Sequence, residues 1–151
     1  MLITTTLSPA HGFHPTSTST IRLSPALDPA CLLYLYLSLP PPLFVDTHEL
    51  TLHAAQYDFQ HWGTKDLEKP VHALPAAPAR SELLVSVRDW TAAAHSGSLL
   101  PVDVPMHLRY GTPNQGDDDD DDEKEVHVDH PAAFFLCPPT TSSVLVAPII
   151  S

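Results

Sequence analysis

Residues 31–39, Cys31-Leu32-Leu33-Tyr34-Leu35-Tyr36-Leu37-Ser38-Leu39, alternate with a period of two until Pro40-Pro41-Pro42 stops them. Successive side chains of a strand point to opposite faces, so Cys31, Leu33, Leu35, Leu37 and Leu39 share one face, opposite Leu32, Tyr34, Tyr36 and Ser38. This predicts a buried or nearly buried strand. Glu82 to Trp90 (ELLVSVRDW) reads as another, with Leu83, Val85 and Val87 opposed to Leu84, Ser86 and Arg88. Val104 to Tyr110 (VPMHLRY) alternates most cleanly: Val104, Met106, Leu108 and Tyr110 are expected inward, and Pro105, His107 and Arg109 outward. Proline lacks a backbone donor, so Pro105 confines this strand to an edge or limits its pairing at the start.

Outward from these three, Leu43 to Ala54 (LFVDTHELTLHA) predicts a half-buried strand with His48, Leu50, Leu52 and Ala54 on one face. Between Gln56 and Ser81 prolines return and periodicity fades, which predicts a long loop. Val126-His127-Val128, Phe134-Phe135-Leu136 and Ser143 to Ile150 can each add a strand. The Ser-, Thr- and Pro-rich residues 1–30 read as a poorly ordered or edge-strand segment preceding a β-domain over 31–151. Seventeen prolines against five glycines in 151 residues disfavour long helices. The expected fold is all-β, a single β-sandwich-like domain with proline-rich loops.

The formal charge of −11 is concentrated: Asp117 to Glu125 (DDDDDDEKE) holds eight acids and one lysine. With nothing apolar to bury, 114–125 is expected to be a disordered loop. It lacks the alternating ligands and turn glycine of a calcium loop. Seven scattered basic residues argue against nucleic-acid binding.

No catalytic constellation is evident. GxSxG, GxGxxG and P-loop patterns are absent, and the ten histidines come without HExxH or CxxC. The pairs His11/His14 and His127/His130 therefore read as surface histidines; no metal or cofactor is expected, a small histidine-dependent metalloenzyme being the enzymatic alternative. No apolar run is long enough to span a bilayer, and no secretory leader is evident. Two cysteines, Cys31 and Cys137, leave a disulfide and two buried thiols both open. His107 and Arg109, at i and i+2, would stand side by side, either to contact a partner or to pair with a carboxylate such as Asp66 or Glu68.

Val104-Pro105-Met106-His107-Leu108-Arg109-Tyr110, followed by Thr112-Pro113, resembles the PxHxRY signature of the PIG-X/Pbn family. Further elements stand in the family's order. Gly12-Phe13-His14-Pro15 resembles its G-x-H-P element. Cys31-Leu32-Leu33-Tyr34, Leu39-Pro40, then Leu43-Phe44-Val45-Asp46 with Glu49-Leu50 resemble its central stretch. Asp66-Leu67-Glu68-Lys69-Pro70 and Pro131 to Cys137 resemble its later elements.

The resemblance implies a non-catalytic accessory subunit of glycosylphosphatidylinositol (GPI) mannosyltransferase I, in the endoplasmic-reticulum (ER) membrane with a luminal domain. Its partner would be the catalytic subunit, which it stabilises for addition of the first mannose; the alternative is an ER folding factor with several clients. Membrane attachment would come from a C-terminal helix beyond Ser151, so the chain reads as truncated. His107, Arg109, Tyr110, Asp66, Glu68 and Asp46 would form or support the contact surface. A luminal setting also implies a Cys31–Cys137 disulfide.

Overall fold

The computed structural model describes residues 1–64, 69–74, 80–110 and 125–139. The chain runs β1 (Leu2–Ser8), β2 (Thr16–Arg22), β3 (Leu32–Leu39), β4 (Leu43–Phe44), helix α1 (Thr47–Thr51), β5 (Tyr57–Trp62), β6 (Ser81–Val87), helix α2 (Trp90–Ser96), β7 (Leu100–Pro105), β8 (His107–Leu108) and β9 (Ala132–Leu136). A turn of 3₁₀ helix at Val71–Ala73 precedes β6. The fold is all-β. Among the described residues three antiparallel sheets form, in the orders β1-β2-β7, β5-β6-β3-β9 and β4-β8.

The alternation of residues 31–39 is what places β3 at the heart of the fold. Leu33, Leu35, Leu37 and Leu39 are buried, and β3 pairs with β6 on one side and β9 on the other. Leu83, Val85 and Val87 of β6 join the same core, as do Ile21 of β2 and Val102 and Val104 of β7. The inward faces of the two larger sheets thus share one core, the arrangement of a sandwich.

Residues 1–30 contribute more than composition suggests. Among the described residues β1 stands at the edge of its sheet, but β2 is central, pairing with β1 and β7. Its inward face is Ser17, Ser19 and Ile21, all buried. β-Branched threonines suit a pleated strand, and the small inward serines hide the apolar alternation that would otherwise announce it. Thr5 Oγ1 lies 3.1 Å from Ser19 Oγ. Ser17 borders a cavity of about 80 Å³, together with Leu37, Leu39 and Val128.

Four expected elements differ. The strand expected over Leu43–Ala54 stops after two residues and becomes α1. Asp46 caps this helix, its Oδ1 accepting from the His48 N–H at 2.8 Å, which satisfies a donor that the first turn leaves free. Helical geometry then buries Leu50 and leaves Leu52 82% exposed, where a strand would have put both on one face. Within the expected loop 56–81 lies β5, paired with β6 and alternating Tyr57 and Phe59 inward with Asp58, Gln60 and Trp62 outward. Residues 88–90, expected in the strand of β6, turn instead into α2, beginning at Trp90. Val126–Val128 forms no strand. The acidic loop at 114–125, apart from Glu125, and the strand expected over Ser143–Ile150 lie outside the described residues.

Tyr57 links the two larger sheets. Its buried hydroxyl donates to the Asp103 carbonyl at 2.9 Å. Burial, then the nearby Asp103 and Glu49 charges, hold this phenol well above the ordinary tyrosine range. A raised folded-state value means stability that is complete below the unfolded tyrosine value of about 10 and declines as pH rises beyond it. Tyr57→Phe is expected to cost about 1 kcal/mol near neutral pH and to flatten part of that alkaline decline. Urea unfolding from pH 7 to 11 checks both.

Candidate functional site

Three segments far apart in sequence meet around β8. Backbone N–H groups alternate in direction along an extended chain. Those of Met106 and Leu108 donate to the carbonyls of Pro15 and Phe13, at 2.8 and 2.9 Å, and that of Arg109 donates to Pro42 at 2.7 Å. On that side β8 pairs with β4, setting Phe44 opposite His107. The connection between β1 and β2 therefore flanks β8 on one side and the start of the 43–50 segment on the other.

His107 is the centre of the site. Its Nε2 lies 2.6 Å from Glu49 Oε2, and its Nδ1 lies 2.8 Å from Nδ1 of His14. The ring stacks on Phe44, centroids 5.1 Å apart, and meets His14 edge-on. Glu49 reaches it from α1, whose first turn Asp46 caps; Asp46 thus acts as a positioning residue, one step from the site.

Arg109 and Tyr110 face opposite to expectation. Arg109 is only 5% exposed: its guanidinium lies 4.6 Å from the Phe44 ring centroid and donates from Nη1 to the Lys69 carbonyl at 2.9 Å. Tyr110 is 73% exposed, its ring 5.4 Å from that of Phe13, itself half exposed. The alternation slips between β7 and β8, where Val104, Pro105 and Met106 are all buried in succession. Beyond that slip Arg109 and Tyr110 exchange faces, while Leu108 still packs against the core. Asp66 and Glu68, the carboxylates expected near Arg109, lie outside the described residues.

Cys31 and Cys137 are joined as a disulfide across 106 residues of sequence, tying the residue before β3 to the one after β9. The histidine pairs suggested by sequence proximity give way to His14 with His107, 93 residues apart. His127 has Asp129 at 3.9 Å. Among the described residues no group of three or more His, Cys, Asp or Glu is placed to hold a metal ion together, and none of their helices is long and apolar enough to cross a membrane.

Phe13, Phe44 and Glu49 were not singled out by sequence reasoning, and His14 was considered only beside His11, although each stands inside a motif element that was. Every element resembling the G-x-H-P, LF-x-D-x-x-E-L and PxHxRY patterns converges here. The family model described as PIG-X / PBN1 matches residues 10–149. The chain belongs to the PIG-X/PBN1 family. That family is associated with GPI-anchor biosynthesis. Among curated proteins, Protein pbn1 of Neurospora crassa is 28% identical over 149 residues, a match covering 83% of this chain and 25% of that protein. The chain thus spans about a quarter of the length of this curated relative. No solved structure matches the chain.

Proposed function

We propose that this chain is a non-catalytic accessory domain of GPI mannosyltransferase I, in the lumen of the ER, which binds and stabilises the membrane-bound catalytic subunit for addition of the first mannose. One observation carries the reading: the polar signature side chains are occupied by internal contacts, while the aromatic pair beside them faces outward. His107 is engaged by Glu49, His14 and Phe44, and Arg109 by Phe44 and the Lys69 carbonyl. These groups act as scaffold. Phe13 and Tyr110 are the parts a partner could cover, and buried aromatics dominate the binding energy of interfaces.

Tyr110→Ala is therefore expected to leave urea stability within about 0.5 kcal/mol of wild type. In the full-length protein it should weaken association with the catalytic subunit by about 2 kcal/mol, roughly 30-fold. Co-purification from ER membranes, with first-mannose transfer assayed on the same membranes, checks both. Unchanged recovery and transfer would remove the aromatic pair from the interface. Recovery of many unrelated clients with no dominant transferase would favour a general folding factor instead.

A further inference from the structure

We propose that His14 and His107 form a two-histidine binding site for a borderline divalent transition-metal ion, zinc above all, with Glu49 as the group that orients His107. The starting point is the tautomer. A carboxylate can only accept, so the 2.6 Å contact to Glu49 puts the hydrogen of neutral His107 on Nε2 and leaves the Nδ1 lone pair available. A carboxylate on one imidazole nitrogen fixes the ring and makes the other nitrogen a better ligand.

That second nitrogen faces Nδ1 of His14 at 2.8 Å, with the ring planes 89° apart. A single hydrogen can bridge the two as they stand. Zinc binds imidazole nitrogens at about 2.0–2.1 Å, and a tetrahedral angle then separates two of them by roughly 3.3 Å. Widening the pair by about half an ångström would admit the ion. His14 is the side chain free to make that movement, being exposed on the connection between β1 and β2. His107 is held in place by Glu49 and by its stack on Phe44.

Ligand chemistry sets which ion. Neutral imidazoles suit zinc, copper and nickel, whereas calcium and magnesium prefer oxygen. The acidic run at Asp117–Glu125 would attract the second class and compete poorly for the first. Two protein nitrogens leave the remaining coordination positions to water or to a group brought by another molecule, so the site is open. An ion there would tie the β1–β2 connection to β8 and, through Glu49, to α1. This inference does not depend on the accessory reading.

The test is calorimetric titration of the full chain with zinc chloride in excess calcium, alongside thermal unfolding with and without zinc. Wild type should bind one equivalent and unfold at a higher temperature with zinc than without. His14→Ala, at an exposed position, should lose the one-equivalent step and the thermal shift. His11→Ala should keep both, and Glu49→Gln should weaken binding by about 10–100-fold. In nuclear magnetic resonance spectra, the ring protons of His14 and His107 should respond first to zinc. Absence of binding in wild type overturns the proposal, and so does an isotherm that His14→Ala leaves unchanged or that His11→Ala abolishes.

Discussion

Replacing Cys31 and Cys137 together by alanine is expected to lower the unfolding free energy by about 4–5 kcal/mol in the chain-entropy model. The bridge closes a loop spanning 106 residues of sequence, most of the described domain, and removes correspondingly many conformations from the unfolded chain. A small domain is stable by only about 5–15 kcal/mol, so this loss would bring it near the threshold of folding. The effect should concentrate on β9, which among the described residues stands at the end of its sheet and pairs there with β3. Native-state hydrogen exchange should therefore show β9 amides losing protection before those of β3 and β6. Urea denaturation gives the magnitude, and mass spectrometry under non-reducing conditions checks that wild type starts bridged. Two alkylatable thiols in the wild-type protein would contradict the structure.

Arg109→Ala should cost about 3 kcal/mol. A hydrogen bond from a charged donor is worth about 1.5–3 kcal/mol, and a desolvated cation over an aromatic ring about 2 kcal/mol, less whatever the vacated space recovers. Arg109→Lys should recover less than half of that loss, because an ammonium lacks the planar fork that lies over Phe44 while donating to the Lys69 carbonyl. Chemical denaturation of the three proteins measures both. An arginine serving mainly as an exposed partner contact would give the opposite result, with stability kept and association lost. Its burial beside Phe44 argues for the structural outcome.

Much of this fold was legible because strand burial is a local property. The period of two in residues 31–39 and 82–87 translates directly into the buried faces of β3 and β6. Sequence reading failed where a local choice overrode the period. At Asp46 a side-chain cap started a helix inside an alternating run, and the D-x-x-E spacing of Asp46 and Glu49 was the available signal. At β2 two of the three inward positions, Ser17 and Ser19, were serine, so Ile21 stood alone without an apolar alternation. At β5 the alternation of Tyr57 and Phe59 was present but hidden between proline-rich flanks. The site was half legible: His107, Arg109, Tyr110 and Asp46 were named, His14 was paired with the wrong histidine, and Phe44 and Glu49 were visible only as members of motif elements.

Alone, the amino-acid sequence determined the all-β class, the central strand and the family, since each depends on residue order within short windows. Tertiary structure alone decided that His14 meets His107 and that Arg109 turns inward while Tyr110 turns outward. It also decided that Cys31 reaches Cys137. Those facts depend on strand pairing across up to 106 residues of chain and on a slip of alternation at Pro105–Met106, and a face reversed by one residue leaves no trace in the local pattern.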